Sequence, residues 1–524
     1  MNYVVGSGPS GATAAKALLD RGLPVTILDA GAELDPERAG VVASLAARDP
    51  EDWDPARVER IRNPLDAPMP KRSFGSAFPY ALGAASGLEE HGTKCLVSRA
   101  KGGLSNVWGA AVLPAPDADF ESWPVSAAEM IPHYAAAAGL LGIAASRGEL
   151  EDLFPFHVPP RPAAEPSPQA RVLLGRLRGG AEPLARAGLR FGASRLAVRT
   201  EDNPGGKACR RSGLCLSGCP YGSIWNSAQE VERLKLRPGF RYESGIRALR
   251  VESSPRGATV VARRLADGSP LRFEGNRVFL ACGPLATARV VLASLDLGGR
   301  ELTMRFQPYF LLPAVMAENA SGTEGGRALT LAQIFLELSD PALSRRLVHM
   351  QIYTRNEFTA DRLRRAARWA GPLAATVERA FSGRLLAIQG YLHSDEGEGV
   401  RLTARREGEE CRLVLRARPE KNLRRRIRAI AARLRGLRSE LGFTALTPML
   451  SVGNPGEGNH VGGIFPMRRS PEPFETDISG RLPGLDRVHL VDSSVLPSLS
   501  AATLTYTVMA NAHRIASIAA QEGG

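Results

Sequence analysis

The first thirty residues of the chain constrain its fold more than any other segment. They read as a short apolar strand, the turn GSGPSG at residues 6–11, a helix of small residues, and a second strand that ends in an acid. In such a unit the first glycine permits a tight turn, the second lets the backbone approach a pyrophosphate, and the third packs helix against strand. The helix N-terminus faces the phosphates, and the acid accepts hydrogen bonds from a ribose. The predicted dinucleotide site comprises Gly6, Gly8, Pro9, Ser10, Gly11, Asp29 and Ala30.

Two further segments are candidates for cofactor contact. Residues 101–109 read KGGLSNVWG, in which glycines remove the Cβ obstacle to a flavin ring or phosphate and polar side chains offer hydrogen bonds. The candidates there are Gly102, Gly103, Ser105 and Asn106, and a purely structural turn is the alternative. The apolar run 278–283 resembles strands that pass near the cofactor of many flavoproteins, but an ordinary buried strand explains it equally well. The turn at residues 6–11 does not by itself distinguish FAD from NAD.

Local signals predict several other elements. Ser126 is suited to cap a helix from about Ala127 to Leu141. Residues 241–274 alternate as a small antiparallel meander does. Residues 32–75, rich in proline, aspartate and arginine, are predicted to be irregular, and the proline-rich residues 155–168 form a connector.

His460 is the side chain best suited to proton transfer. It lies in the glycine-rich run NHVGGIFPM at residues 459–467. The pKa of a histidine lies near neutral pH, so an imidazole can take the proton of an alcohol while the adjacent carbon gives up hydride. The other seven histidines lack comparable glycine-rich surroundings. A turn histidine satisfied by ordinary hydrogen bonds is the alternative.

The chain carries a formal net charge of +13, mostly from arginine. Such a charge favours an anionic substrate or an anionic membrane surface; nucleic acid is not expected, because no recognition motif accompanies the charge.

No apolar run reaches the ~18 residues of a membrane span. The first strand begins at about Asn2 and leaves no room for a targeting segment, so we expect a cytoplasmic protein.

Two arginine-rich segments are open to two interpretations. In residues 423–438, leucine and isoleucine recur at helical spacing between arginines, and residues 362–377 form a second such segment. A helix of this kind packs its apolar stripe on the sheet and leaves its arginines in water. The alternative is a peripheral contact with an anionic membrane, or with a lipid- or phosphate-linked saccharide.

Taken together, these motifs resemble the glucose-methanol-choline (GMC) oxidoreductase family, flavoenzymes that oxidise alcohols and sugars. GSGPSG with Asp29 resembles the family's FAD fingerprint, GGLSNVWG its second flavin-contacting motif, and NHVGGIFPM the segment with the active-site histidine. Residues 482–516, LPGLDRVHLVDSSVLPSLSAATLTYTVMANAHRIA, resemble its C-terminal signature. The four motifs follow the family's order over nearly the whole chain.

The resemblance implies that the cofactor is FAD and that His460 accepts the hydroxyl proton. In relatives that hold FAD covalently a histidine stands at the position of Val107, so the resemblance implies non-covalent FAD. Thr503 stands where the family's second catalytic residue, usually Asn or His, is found, and its hydroxyl can bind the substrate oxygen. This difference and the GGIFPM run indicate a divergent bacterial branch. The resemblance also implies that the flavin is bordered by Asp492, Ser493, Thr503 and Leu504.

The fold class expected from these motifs is α/β. A chain of 524 residues is too long for one compact core and suits two joined domains. We predict a Rossmann-like FAD-binding domain and a second, α+β substrate-binding domain built on an antiparallel sheet. The FAD-binding domain is discontinuous and takes residues 1–130, 195–300 and 455–524. Residues 301–454 form the substrate-binding domain, and residues 131–194 form a connector or lid.

Three cysteines cluster in a turn-rich loop: Cys209, Cys215 and Cys219. Sugar dehydrogenases of this superfamily that pass electrons onward carry a three-cysteine iron–sulfur site in a similar region, and thiolates suit such a cluster. Reduced thiols in a tight loop are the preferred interpretation, so no metal is expected.

The sequence thus predicts FAD-dependent oxidation of an alcohol group on a sugar, polyol or glycoside, with hydride passing to the flavin and the proton to His460. The substrate is a small or carrier-linked saccharide, and the electron acceptor is open among oxygen, quinone and protein. One alternative is an iron–sulfur-containing sugar dehydrogenase that serves a membrane partner. Another is a flavin-binding lyase or scaffold without redox turnover.

Overall fold

A computed structural model describes residues 1–62, 71–295, 299–322 and 327–522. Within these ranges the chain forms twenty β-strands and thirteen α-helices. The strands are β1 Asn2–Val5, β2 Val25–Leu28, β3 Leu88–His91, β4 Leu189–Ala193, β5 Phe240–Glu243, β6 Ile246–Ser254, β7 Gly257–Arg264, β8 Pro270–Gly275, β9 Arg277–Leu280, β10 Leu302–Phe306, β11 Tyr309–Met316, β12 Ile334–Leu338, β13 Val348–Tyr353, β14 Leu385–Tyr391, β15 Val400–Glu407, β16 Glu410–Arg416, β17 Phe443–Ala445, β18 Ser451–Val452, β19 Val461–Gly462 and β20 Val488–Leu490. The helices are α1 Pro9–Leu19, α2 Pro36–Ala46, α3 Pro55–Ile61, α4 Ala127–Leu141, α5 Pro168–Gly179, α6 Ala181–Arg186, α7 Ser227–Leu234, α8 Pro284–Ser294, α9 Glu357–Ala367, α10 Ala374–Ser382, α11 Lys421–Gly436, α12 Arg438–Leu441 and α13 Leu504–Gln521.

One half of the molecule is built on a parallel five-stranded sheet. Its order is β20-β9-β1-β2-β5, and Val5 of β1 lies opposite both Leu28 of β2 and Leu280 of β9. α1 connects β1 to β2, as in a Rossmann unit. Strands β2 and β9 are buried along their whole length, which explains their apolar sequences. The predicted Rossmann-like sheet is confirmed.

The second half of the molecule is built on largely antiparallel sheets. One has the order β17-β11-β14-β13-β12-β4, with β18 paired to β11, and the other has the order β19-β10-β15-β16-β3. The predicted antiparallel sheet is therefore confirmed.

The segment 131–194, predicted as a connector or lid, also supplies the edge strand β4. Its buried residues Leu189 and Phe191 pack beside β12. The predicted domain boundaries stay a prediction.

The prediction that residues 32–75 are irregular is wrong for two helices. Asp35 caps α2 by accepting a hydrogen bond from Arg38 N at 2.9 Å, and Asp54 caps α3 through Ala56 N at 3.0 Å. Proline occupies the first position of each helix, where its missing N–H costs nothing. The two Asp-Pro pairs are therefore helix starts, in which aspartate caps the helix and proline occupies its first position.

Two other local predictions are confirmed. α4 begins after Ser126, whose hydroxyl and backbone form a capping box with Glu129. The meander exists as β6-β7-β8.

The C-terminal helix α13 packs against both α1 and α4. The Tyr134 hydroxyl of α4 lies 2.7 Å from that of Thr507, and the Tyr506 hydroxyl donates to Tyr134 O at 2.9 Å. These buried contacts hold the start of α13 near the N-terminal turn, although the two are at opposite ends of the sequence.

The arginine-rich segments form helices. In α11 the apolar stripe of Leu423, Ile427, Ile430 and Leu434 is buried, while Arg428 is exposed. The second segment forms α9 and α10, but the side chains of Arg362 and Val377 lie outside the described residues. Within the described part of the chain, no helix is both long and apolar enough to cross a bilayer.

A substitution pair tests the packing of α11. Leu434→Ala removes a fully buried side chain and should lower the free energy of unfolding by about 2–5 kcal/mol. Arg428→Ala, on the exposed face, should change it by less than about 0.5 kcal/mol. Chemical denaturation of both variants measures the difference, and equal stabilities would contradict the buried stripe.

Candidate active site

A cavity of about 790 Å³ lies between the parallel and antiparallel sheets. It is bordered by the glycine turn, the end of β2, the loop after residue 95, the inner faces of β13 and β14, the His460 loop and the start of α13. The predicted site residues that line it are Gly6, Gly8, Pro9, Ser10, Asp29, Ala30, Gly103, Ser105, His460, Asp492, Ser493, Thr503 and Leu504. The remaining three, Gly11, Gly102 and Asn106, support the wall from outside the lining.

The start of α1 fits a pyrophosphate. Gly8 is the N-cap, no side chain caps the helix, and the first turn holds no acidic residue. The first N–H groups are therefore open to a negative group in the cavity. A Cβ on Gly8 would meet no protein atom within 4 Å, so the space beside it belongs to the cavity. A Cβ on Gly11 would lie 2.0 Å from Gly6 O, so here glycine lets the helix pack on the turn.

Asp29 holds this cradle together from the end of β2. Its Oδ2 accepts hydrogen bonds from the Ser7 hydroxyl and, at 3.1 Å, from the Tyr242 hydroxyl. Burial raises the pKa of the Asp29 carboxyl to about 6, and these hydrogen bonds limit the rise. Ser7 Oγ also accepts a hydrogen bond from Gly102 N at 2.9 Å. Ser7, which the sequence analysis missed, therefore joins the turn, the acid and the second glycine motif.

The turn at residues 102–106 is held by its own polar side chains. Ser105 Oγ donates to Gly102 O at 2.5 Å and accepts from the first N–H of α7 at 2.9 Å. The Asn106 amide donates to two carbonyls of the same turn. Gly103 then approaches the cradle so closely that a Cβ there would lie 3.3 Å from Gly8 Cα. The turn presents backbone to the cavity, as its glycines predict.

Asp492 and Ser493 connect the end of β20 to its neighbours. Asp492 accepts hydrogen bonds from Thr287 Oγ1 at 2.5 Å and from Ser494 N at 3.0 Å, and burial raises the pKa of its carboxyl. The Ser493 hydroxyl donates to Val461 O at 2.8 Å. These contacts fix the histidine loop against the Rossmann sheet.

Thr503 is the N-cap residue of α13, but its side chain does not cap the helix. Its hydroxyl accepts a hydrogen bond from Leu113 N at 2.6 Å and donates to Leu113 O at 3.1 Å. The hydroxyl is thus committed to the neighbouring backbone, and its predicted catalytic role stays a prediction. The open N–H groups beginning at Leu504 offer a partial positive charge to this part of the cavity.

Gln307 positions the imidazole of His460. Its amide nitrogen donates to the carbonyls of Ser500, Ala501 and Ala502 at 2.6, 2.9 and 3.0 Å. Three carbonyls can only accept, so the amide oxygen must point the other way, and it lies 2.5 Å from His460 Nδ1. Nδ1 therefore carries the proton, and Nε2 keeps its lone pair. Gln307 has no local sequence signal, because its partners lie far along the chain.

The imidazole of His460 is neutral at physiological pH. Burial lowers its pKa to about 4, and the nearby His349 adds to the shift. The ring packs beside Tyr391, with ring centroids 5.4 Å apart. A neutral, tautomer-fixed imidazole at the cavity wall is suited to accept a proton through Nε2.

The inner face of β13 and β14 forms a polar wall opposite the cradle. Gln351 and Gln389 are directly opposed across the two strands, and both line the cavity beside Tyr353 and Tyr391. The Tyr353 hydroxyl donates to Gln351 Oε1 at 3.1 Å, which fixes the orientation of that amide. The alternation of polar residues at 349, 351 and 353 is a strand-face signal that the sequence analysis did not use.

Beside Gln351, on the same strand face, lies a buried pair of ionisable residues. His349 and Glu337 are both fully buried, with His349 Nδ1 2.7 Å from Glu337 Oε1. The Gln351 amide nitrogen donates to His349 Nε2 at 3.2 Å. The pair therefore contacts Gln351 from its neighbouring position on the strand and helps to fix the orientation of the amide.

The cysteine loop carries no evident metal site. All three cysteines are free thiols, and Cys215 accepts a hydrogen bond from Thr330 N at 3.4 Å. Within the described ranges, no group of three or more His, Cys, Asp or Glu side chains has an arrangement that could hold a metal ion. The structure gives the iron–sulfur alternative no support there.

Sequence comparison finds two related oxidases. No family model matches the chain. It is 25% identical over 544 residues to 6'''-hydroxyparomomycin C oxidase from Streptomyces lividus, covering 98% of this chain and 89% of that protein. It is also 25% identical over 334 residues to paromamine 6'-oxidase from Streptomyces fradiae, covering 58% and 54% of the two chains.

Solved structures share the fold. Pyridoxine 4-oxidase from Mesorbium loti has a TM-score of 0.60 at 16% identity and covers 98% of each chain. A fungal aryl-alcohol oxidase has a TM-score of 0.57 at 15% identity, covering 100% of this chain and 99% of its own. An FAD-dependent oxidoreductase from Chaetomium thermophilum has a TM-score of 0.58 at 14% identity, with the same coverage.

The fold is that of these oxidases and oxidoreductases, and the open cradle suits a dinucleotide such as FAD. Non-covalent attachment of that FAD stays a prediction. The similarity to these oxidases agrees with the GMC membership that the motifs predict, and that membership stays a prediction.

Gly8→Ala tests the cradle directly. The new methyl group meets no protein atom but enters the space for the pyrophosphate, so the apoprotein should keep its melting temperature while FAD binds more weakly. The overlap costs about 1–3 kcal/mol, which raises the Kd for FAD about 5- to 150-fold. Flavin titration measures this. Gly139→Ala, an exposed glycine of α4 with nothing within 4 Å, is the control and should bind FAD normally.

Gln307→Glu tests the tautomer argument through the pH profile of flavin reduction. Reduction requires neutral His460 and should fall only below its pKa of about 4. A carboxylate beside Nδ1 favours the imidazolium, so it raises that pKa by about 1–3 units and moves the acid limb to higher pH. Gln307→Met, which adds no charge, should slow reduction without raising the limb. An unmoved limb in the glutamate variant would refute the assignment.

Proposed function

We propose that this enzyme oxidises a hydroxyl group of a saccharide or polyol, with His460 as the base that accepts the hydroxyl proton. The observation that carries the proposal is the His460–Gln307 pair, which presents a neutral Nε2 to a cavity shared with the nucleotide cradle. FAD, when bound, supplies the acceptor for the hydride.

The polar wall supports a hydroxyl-rich substrate. Gln351 and Gln389 offer both donors and acceptors, which suits hydroxyl groups, and the tyrosines beside them provide aromatic surface for the C–H faces of a sugar ring. These groups are uncharged, so they recognise hydroxyls without demanding a charged substrate. The two relatives whose names describe oxidation of 6'''-hydroxyparomomycin C and of paromamine also support a saccharide.

The chain's own residues account for the proton step. The substrate hydroxyl donates to His460 Nε2, and the polar wall holds the rest of the molecule. As the proton moves to Nε2, the imidazolium is stabilised by Gln307 Oε1, because a hydrogen bond from a charged donor is stronger than one from a neutral donor.

His460→Ala tests the function. The variant should retain FAD, because the imidazole is not part of the cradle, while anaerobic flavin reduction by a reactive saccharide slows about 10²- to 10⁴-fold. His91→Ala, at an exposed position, is the control. A panel of sugars, polyols and glycosides is screened first by flavin bleaching. Reoxidation of the reduced enzyme by air or by a quinone then identifies the acceptor.

Two results would overturn the proposal. An unchanged reduction rate in His460→Ala removes the histidine from the chemistry. Failure of every alcohol in the panel to bleach the flavin favours a non-redox protein.

A further inference from the structure

The neighbouring strands β13 and β14 are joined by a helical insert, defined as residues 357–382. It contains α9, a short turn at Arg368–Leu373, and α10. Adjacent antiparallel strands need only a tight turn to connect them, so the sheet does not require the insert. The insert begins at the cavity, where Phe358 and Thr359 form part of the wall.

The tip of the insert exposes large apolar side chains. Trp369 is 94% exposed and Leu373 is 64% exposed, on either side of a kink at Gly371 with φ of 54°. A tryptophan in a folded protein normally buries about 150–250 Å², so an indole in water forgoes a large apolar contact. Tryptophan is enriched where a protein meets the membrane–water interface. By contrast, other exposed leucines, such as Leu236, stand alone in the sequence, and single exposed apolar side chains are ordinary on a protein surface.

The charge of the insert favours one kind of partner. Within residues 357–382 the sequence has five arginines and three acidic residues. Arg368 and Arg379 are exposed, while Leu363 and Ala367 on α9 are buried and anchor the helix to the body of the protein. An apolar tip flanked by arginine is the pattern of peripheral elements that bind anionic lipid.

We propose that the tip of the helical insert docks on an anionic phospholipid bilayer. Trp369 and Leu373 enter the interfacial region, and Arg368 and Arg379 contact lipid phosphates. Because the same insert forms part of the cavity wall, docking couples the bilayer surface to the active site. This inference concerns a surface and does not depend on which alcohol is oxidised.

Vesicle co-sedimentation of the FAD-loaded enzyme tests the proposal. Vesicles of phosphatidylcholine are compared with vesicles that also contain phosphatidylglycerol, at low and high salt. The wild type should bind only the anionic vesicles and be released by salt. The double variant Trp369→Ser/Leu373→Ser should lose about tenfold in partitioning, because binding scales with the apolar area inserted. Arg368→Gln/Arg379→Gln should also weaken binding. The control Leu236→Ser removes an equally exposed leucine elsewhere and should bind normally.

The outcomes distinguish the partners that the tip could contact, a bilayer or a second copy of the chain. Absence of binding to anionic vesicles at low salt overturns the proposal, as does equal binding by the tip variant and the wild type. If the wild type self-associates in light scattering and the tip variant does not, the tip is an interface between copies and the membrane proposal falls. Flavin reduction by soluble saccharides, measured without vesicles, tests the proposed function independently.

Discussion

The side-chain amide of Gln307 is the interaction on which the active site depends. One end of it binds three successive carbonyls ahead of α13, and the other end binds the imidazole of His460, the proposed base. A single buried group thus joins the β10–β11 connection, the histidine loop and the last helix. The amide cannot be reversed, because its oxygen would then face three carbonyl oxygens. The position and the tautomer of His460 are therefore set by the same contact.

Burial makes His460 neutral, but it also makes the imidazole a weak base. A low pKa means that the free cavity disfavours the imidazolium, which is the state the histidine must reach when it takes the proton. The short contact with Gln307 offsets this, because its hydrogen bond strengthens as Nδ1–H becomes part of a cation. Stabilisation that grows during the reaction accelerates it, whereas equal stabilisation of both states would not. In the proposed mechanism, Gln307 therefore contributes to the proton step without touching the substrate.

The sequence predicts those parts of the site that have a local signal. The glycine turn, Asp29 and the capping box at Ser126 are read within a few residues, and each lies where expected. Ser7 and Gln307 could not be found this way, since their partners lie 95 and 153 residues away. A glutamine or serine has no periodicity that marks a distant contact. The polar alternation on β13 was readable, but only its location opposite β14 shows that Gln351 faces Gln389.

The cofactor site is also a device for holding distant segments together. Its walls come from the first thirty residues, the segment after residue 95 and the last helix. Ser7 connects the first two through Gly102 N, and the Thr503 hydroxyl connects the start of the last helix to Leu113. A ligand that binds only the folded chain stabilises it by mass action. A dinucleotide bound in this cavity would touch all three segments and would raise the stability of their association along with that of the Rossmann sheet. The N-termini of α1 and α13 support this view, because neither is capped by a side chain, both border the cavity, and both favour a negative group there.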